Sequence, residues 1–305
     1  MPAFNAERTI EAAVRSVLAQ TWRNLELVVY DDNSSDNTLA VLATIVDPRL
    51  KILYGKVNRG PGPARDLAIR ATAAPWIAVI DADDEWVPER IAALMASRGD
   101  ASEVMIFDDL MQCHDTASGL VPWRHLRGRS AFGKRSSGPR DVPLVSFLVA
   151  PRLLIKPLFP AAIMHKYAIT HTSRSFGEDT EFFLRLAATG LRLRYVPKPM
   201  YRYRITPGSA TAVAFDRTTM RQCMEGCADL PGFGPEVRGA LKSKIQSLAR
   251  DESLYAFRDL LRQGRFIALV RAILANPHLL PAGAKRGMTI LQYELHRRFH
   301  GGRKR

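Results

Sequence analysis

The sequence has little cysteine and no long apolar run, and each scarcity excludes a class of protein. The three cysteines, Cys113, Cys223 and Cys227, are too few and too irregularly spaced for a disulfide framework or a zinc cluster. Their scarcity favours a reduced, cytoplasmic compartment. No uninterrupted stretch of about 18 apolar residues occurs, so the sequence predicts no membrane-spanning helix. The polar turn after Met1-Pro2 also predicts that no signal peptide opens the chain.

The charge is divided unevenly along the chain. Residues 1–100 hold 11 Lys or Arg against 14 Asp or Glu, residues 101–250 hold 22 against 12, and residues 251–305 hold 11 against 4. An acidic front and a basic rear predict carboxylate chemistry first and an anionic partner behind it. Nucleic acid, anionic lipid and a phosphate-bearing substrate all fit that charge.

Helical and strand patterns alternate through the first hundred residues. Apolar spacing and short apolar runs predict, in order, helix 7–20, strand 25–30, helix 39–45, strand 51–54, helix 64–71 and strand 76–80. This alternation predicts an α/β sheet whose ligands lie at the carboxyl ends of the strands. Further along, the patterns predict a loop at 115–141, a helix at 176–188, a strand at 191–196 and helices from about 215.

The acidic run that begins Asp81-Ala82-Asp83 is the strongest chemical signal. It follows a predicted strand, and Asp84 and Glu85 continue it. Four carboxylates in five positions repel one another, which favours a bound cation. Hard oxygen ligands suit Mg²⁺ or Mn²⁺ held between the protein and a diphosphate. A solvated acidic turn that caps the next helix is the alternative, and the motif alone leaves both open.

Three weaker signals accompany this run. Asp31-Asp32 follows another predicted strand and suits either a nucleobase N–H or helix capping. Arg65 lies in the helix that a glycine-rich turn opens, where it could pair with a phosphate or simply face solvent. Glu178-Asp179 opens a later helix, where acidic residues are also ordinary capping chemistry.

Taken in order, these segments resemble glycosyltransferase family 2. The motifs that carry the resemblance are Pro2-Ala3-Phe4-Asn5, Asp31-Asp32, Arg65, Asp81-Ala82-Asp83 and Glu178-Asp179. The resemblance implies the GT-A fold, a nucleotide-binding mixed sheet flanked by helices, here with a C-terminal helical appendage. It also implies inverting transfer of a sugar from a nucleotide-sugar, with a UDP-sugar as the expected donor, to a hydroxyl of a lipid-linked or polysaccharide glycan.

The resemblance implies a division of the chain into two parts and a first strand that is incomplete in this sequence. Residues 1–210 are expected to form the catalytic domain, and residues 211–305 a basic helical region. Family members enter the Pro2 motif from a complete strand, so the first strand is expected to be truncated upstream of Met1.

The resemblance also implies a role for each matching residue. The residues at the base and ribose pocket are Pro2, Phe4 and Asn5. Asp31 or Asp32 would bind the base, and Arg65 would lie near the nucleotide. Asp81 would face the ribose or donor sugar, and Asp83, with Asp81, would hold Mg²⁺ or Mn²⁺. Asp179 matches the general base, with Glu178 beside it near the acceptor.

Three other functions are consistent with parts of the sequence. A nucleotidyltransferase also uses strand-end carboxylates, but Pro2 to Glu7 is not a glycine-rich triphosphate loop. A nucleic-acid-binding protein would suit the basic rear, which lacks interleaved aromatics and any known module pattern. A catalytically inactive scaffold would not need the acidic motifs that are present.

The basic helices after residue 250 predict attachment to the cytoplasmic face of the inner membrane. Apolar residues between Leu254 and Ala275 alternate with arginines, which suits a helix lying on anionic lipid. The alternative is that these helices pack on the catalytic domain.

Co-sedimentation with liposomes tests the membrane prediction. Because salt screens the attraction between basic residues and anionic lipid, binding should fall as ionic strength rises. Equal binding to neutral and anionic vesicles, or none to either, would favour the packed alternative.

Overall fold

The computed structural model describes residues 1–116, 119–126, 138–149, 154–174, 176–205, 216–265, 268 and 271–272. Within these ranges the chain forms two sheets with helices packed on them. The expected α/β architecture is therefore confirmed.

The first sheet has three parallel strands. Its elements, in chain order, are β1 (Pro2–Ala3), α1 (Ile10–Leu18), β2 (Leu27–Asp31), α2 (Thr38–Ala43) and β3 (Leu50–Tyr54). The sheet order is β1-β2-β3, and all five residues of β2 are buried. Ala3 pairs with Asp31, so the loops after β1 and β2 leave the same edge of the sheet.

The second sheet is mixed and has seven strands. After β3 the chain forms α3 (Pro61–Arg70), then β4 (Trp76–Ala78) and β5 (Glu85–Trp86) of the second sheet, and α4 (Arg90–Arg98). The remaining elements up to residue 205 are β6 (Val104–Thr116), β7 (Gly119–Leu126), β8 (Arg140–Asp141), α5 (Leu144–Val149), β9 (Leu158–Pro160), α6 (Ala161–Lys166), α7 (Glu178–Ala187) and β10 (Arg192–Ile205). The central order is β4-β9-β6-β10-β5, with β7 beside β6 and β8 beside β10.

Two apolar clusters hold the layers together. Ile10 and Val14 of α1 pack with Trp86, Leu110 and Tyr201 of the second sheet, which joins the two sheets in one core. A second cluster surrounds the buried phenylalanines of α7 and β9. The loops that carry the predicted site residues therefore leave a packed framework.

The helices α8 (Arg217–Cys227) and α9 (Pro235–Arg262) share the second cluster. Met220 and Met224 are buried against the same core as Phe182 of α7. Gly232, between the two helices, lies so close to α7 that an added Cβ would sit 1.5 Å from the carbonyl oxygen of Ala188. The residues from 217 to 248 thus pack on the preceding part of the chain.

The predicted domain division remains a prediction. Its boundary at residue 210 falls in residues 206–215, outside the described residues. Most of the basic segment after residue 262 also lies outside them; of the predicted membrane-facing stripe, residues 254–262 belong to α9. No helix in the described part of the chain is long and apolar enough to cross a membrane.

Two local predictions are corrected by the structure. The sequence predicts a loop at 115–141, but 119–126 are strand β7, whose Trp123 packs against His114 of β6 with the two rings tilted by 48°. The strand predicted at 191–196 continues to Ile205, and the register of its pairing with β6 shifts on both sides of Pro199. Residues 127–137 lie outside the described residues.

Candidate active site

A cavity of about 1220 Å³ opens where the loops after β1, β2 and β4 meet. Of the predicted site residues, those that line it are Pro2, Phe4, Asn5, Asp32, Asp81 and Asp83. This volume exceeds the roughly 300–1,000 Å³ that is common for small-molecule sites. Three motifs separated along the chain are therefore brought to one place.

The two aspartates after β2 differ in what they contact. Asp32 accepts hydrogen bonds at Oδ2 from the backbone N–H groups of Arg59 and Gly60, both at 2.8 Å. Its Oδ1 is buried and has no partner among the described residues. Asp31 accepts a bond at Oδ1 from the N–H of Ser34, which closes the loop, and it is absent from the cavity lining. Of these two aspartates, Asp32 is the one that lines the cavity.

The loop after β1 forms the opposite wall. Asn5 has a positive φ of 48°, which Asn tolerates better than most residues. Its side-chain oxygen accepts from the N–H of Ser35, and its own N–H donates to Ser34 Oγ. Phe4 beside it is 48% exposed, so an apolar ring remains available to a ligand in the cavity.

The acidic run after β4 does not act as one cluster. Asp84 turns inward, where it accepts from the Tyr201 hydroxyl at 2.6 Å and from the N–H of Arg204 at 2.8 Å. Glu85 pairs with the Arg204 guanidinium at 3.0 Å. Two of the four carboxylates are thus committed to β10, which leaves Asp81 and Asp83 at the cavity.

Asp83 is the carboxylate of this run that remains available. Within the described part of the chain its side chain contacts no other residue through a hydrogen bond or ion pair. Burial and the negative charge of Asp81 raise the pKa of Asp83, which a bound cation would reverse. No group of three or more ligating side chains occurs among the described residues. A single carboxylate fits Mg²⁺ or Mn²⁺ only as part of a shell completed by phosphate oxygens and water.

Asp81 instead belongs to a closed ring of ion pairs. Arg65 contacts Asp81 Oδ1 and Asp179 Oδ1, each at 2.8 Å. Lys156 Nζ contacts the other oxygens, Asp81 Oδ2 at 2.5 Å and Asp179 Oδ2 at 2.7 Å. The ring joins the strand-end loop of β4 to the start of α7. The predicted donor and base carboxylates are therefore in one site, linked by two cations.

The carboxyls of the Glu178-Asp179 pair are shifted in opposite directions. Burial favours the neutral form of Asp179, but the charges of Arg65 and Lys156 outweigh it and hold the pKa of Asp179 well below its usual range. Burial and the neighbouring charge of Asp179 raise the pKa of Glu178 to about 7. Neighbouring carboxyls with divergent pKa values are a common feature of acid–base sites.

Lys156 has no role in the sequence-based prediction of the site. The sequence nevertheless contained a signal, because Lys156 interrupts the apolar run from Leu153 to Phe159. A lysine in such a run is seldom buried unless it is paired. Its side chain is 6% exposed and its partners come from β4 and α7, which the sequence alone does not bring together.

The sequence comparisons point to one family. Residues 1–115 match the profile described as Glycosyl transferase family 2. The succinoglycan biosynthesis protein ExoO of Rhizobium meliloti (strain 1021) is 32% identical over 226 residues, which cover 69% of this chain and 61% of that protein. The Escherichia coli protein WfgD, named as a UDP-Glc:alpha-D-GlcNAc-diphosphoundecaprenol beta-1,3-glucosyltransferase, is 42% identical over 91 residues.

The matches differ in how much of each protein they cover. The chain spans less than two thirds of these two relatives, 61% of ExoO and 36% of WfgD. The match to the succinoglycan biosynthesis protein ExoU, also from Rhizobium meliloti, is longer and weaker. It has 27% identity and covers 92% of this chain and 83% of that protein.

A solved structure has the same fold. The crystal structure of Staphylococcus aureus TarS 1-349 matches with a TM-score of 0.65 at 18% identity, over 89% of this chain and 77% of that one. The likeness confirms the expected GT-A-type fold. The matched profile and the named relatives confirm the family that the motifs suggested: through its first 115 residues, the chain belongs to glycosyltransferase family 2.

Proposed function

We propose that this protein is an inverting glycosyltransferase that transfers a sugar from a UDP-sugar to a hydroxyl of a lipid-linked or polysaccharide glycan. The observation that carries the proposal is the shared site: a cavity edged by Asp32 and Asp83, with Asp179 ion-paired to its wall through Arg65 and Lys156. The names of WfgD and ExoO support a surface-glycan acceptor. Sugar transfer is favoured over nucleotidyl transfer, nucleic-acid binding and a scaffold role because the relatives are named for glycan synthesis.

The donor is held by residues on both walls of the cavity. The free Oδ1 of Asp32 suits an N–H of uracil, and the exposed ring of Phe4 suits the face of the base. A TarS structure whose printed title includes UDP-GlcNAc supports a UDP-sugar as the donor class. Pro2 and Asn5 shape the same wall and fix the loop that carries Phe4.

Asp83 would hold a divalent cation together with the donor diphosphate. Such an ion, when bound, neutralises the charge that grows on the leaving diphosphate. Asp81 has both oxygens engaged by Arg65 and Lys156, so its role as a second ligand would require it to leave one of them. Asp83 is therefore the main protein ligand in this proposal.

Asp179 is proposed as the general base. Inverting displacement requires a base to accept the acceptor proton as the hydroxyl attacks opposite the leaving group. The ion pairs keep Asp179 in the ionised form that a base needs and lower its affinity for the proton. Glu178 is the second candidate, because its pKa of about 7 suits proton transfer at neutral pH.

A donor panel tests the proposed function. UDP-, GDP- and ADP-sugars are incubated with the protein, and nucleotide release is measured with Mn²⁺ or with EDTA. We expect release from UDP-sugars that depends on Mn²⁺. A preference for purine donors would contradict the role of Asp32, and full activity in EDTA would contradict the role of Asp83.

The variant Asp83→Asn tests whether Asp83 holds the metal ion, and Glu89→Gln is its control. Glu89 is exposed and its side chain makes no helix-capping bond, so its variant should behave as the parent does. Asp83→Asn should lose Mn²⁺-dependent turnover and also the extra thermal stabilisation that Mn²⁺ adds to UDP binding. If Asp83→Asn retains both, the metal lies elsewhere.

The pH dependence of kcat/KM distinguishes the two candidate bases. Asp179 stays ionised far below neutral pH. If Asp179 is the base, neither carboxyl of the pair should therefore cause kcat/KM to fall as the pH drops from 8 to 5. Glu178 as base would give activity that falls as pH drops through about 7, since the protonated form cannot accept a proton.

We therefore expect Glu178→Gln to keep the pH profile of the parent and most of its turnover. The measurement is kcat/KM across that range for both proteins. A parent limb near pH 7 that disappears in Glu178→Gln, together with a loss of about 10²-fold or more, would assign the base to Glu178.

A further inference from the structure

The ring of ion pairs needs two cations, because each cation contacts one oxygen of each carboxylate. Arg65 binds one oxygen of each carboxylate and Lys156 binds the other, so neither Asp81 nor Asp179 has an unpaired oxygen. The side chains of Arg65 and Lys156 are 4% and 6% exposed, whereas those of Asp81 and Asp179 are 25% and 36% exposed. The cations form the buried back of the site, and the carboxylates face outward.

Lys156 is fixed to the framework through its backbone. Its carbonyl oxygen accepts a hydrogen bond of 2.6 Å from Arg90, whose guanidinium is itself paired with the buried Asp108 at 2.8 Å. The next residue, Pro157, accepts a bond from the N–H of Val79 at 3.4 Å, between β4 and Asp81. The lysine therefore enters the site from the β4–β9 pair, independently of α3, which carries Arg65.

We propose that Lys156 is a positioning residue that holds Asp179 of α7 in register with Asp81 of the donor site. The inference rests on the proposed function, in which Asp179 takes the acceptor proton. Without Lys156, Asp179 would keep only its contact through Oδ1 to Arg65, and its carboxylate could turn about that contact. The two aspartates would also share a single buried cation, so they would repel each other more strongly.

This role predicts a loss of turnover rather than of donor binding. The nucleotide is held by Asp32, Phe4 and Asp83, none of which contacts Lys156 through a hydrogen bond or ion pair among the described residues. A displacement of about 1 Å at a reacting group costs about 10²-fold in rate. A purely structural ion pair would instead lower stability and leave the kinetics of the folded protein unchanged.

The test uses Lys156→Met, which keeps the length of the side chain and removes the charge, and Lys156→Arg, which keeps the charge. Lys166→Met, at an exposed lysine on α6, is the control. With UDP-glucose and UDP-GlcNAc as donors, we expect Lys156→Met to lose about 10²-fold in kcat while UDP affinity changes by less than about threefold. Lys156→Arg should recover much of the loss, and Lys166→Met should match the parent.

A double-mutant cycle with Asp179→Asn decides how Lys156 acts. If Lys156 works through Asp179, adding Lys156→Met to Asp179→Asn should cost little further turnover, because the group it positions is already lost. Losses that multiply, or UDP affinity that falls along with kcat, would overturn the proposal while leaving the proposed function intact.

Folding and parental activity are controlled separately. Each variant is checked by thermal unfolding with and without UDP, and Lys156→Gln replaces Lys156→Met in the cycle if the methionine variant does not fold. A parent that releases UDP from no donor would contradict the proposed function itself, and this inference with it.

Discussion

The buried pairing of two cations with two carboxylates is the interaction on which the site depends. Asp81 comes from the end of β4 and Asp179 from the start of α7, and like charges so close together would separate without compensation. Arg65 and Lys156 supply that compensation from two further elements. The ring thereby joins four distant segments of the chain in one surface, and it sets the relative position of the proposed donor and acceptor residues.

The residues around the ring of ion pairs hold its members in fixed positions. Arg90 and Asp108 form a fully buried pair that fixes the backbone of Lys156, and α7 is held by the apolar cluster it shares with α8 and α9. Cys223 of α8 also donates to the carbonyl oxygen of Gly177, directly before the acidic pair. The residues of α8 and α9, through 248, therefore support the start of α7, where the proposed base lies, as well as the core.

Local patterns were sufficient to predict much of this architecture. The strands that end at Asp31 and near Asp81 could be predicted because short apolar runs followed by carboxylates are typical of strand ends in α/β sheets. Which carboxylate of the acidic run faces the cavity could not, because Asp84 is turned inward by Tyr201 and Arg204, 117 and 120 residues later. The role of Lys156 could not be predicted for the same reason. The apolar run around it indicates burial, but its partners are determined by tertiary packing.

The proposed function requires that one site hold the donor on one set of residues and activate the acceptor on another. The most direct test compares UDP affinity with turnover in Asp179→Asn, whose amide keeps the size of the carboxylate but cannot take the proton. We expect turnover to fall by about 10²–10⁴-fold, the usual contribution of a positioned base, while UDP affinity is retained. Loss of UDP binding together with turnover would place Asp179 in the donor site or the fold and contradict the account.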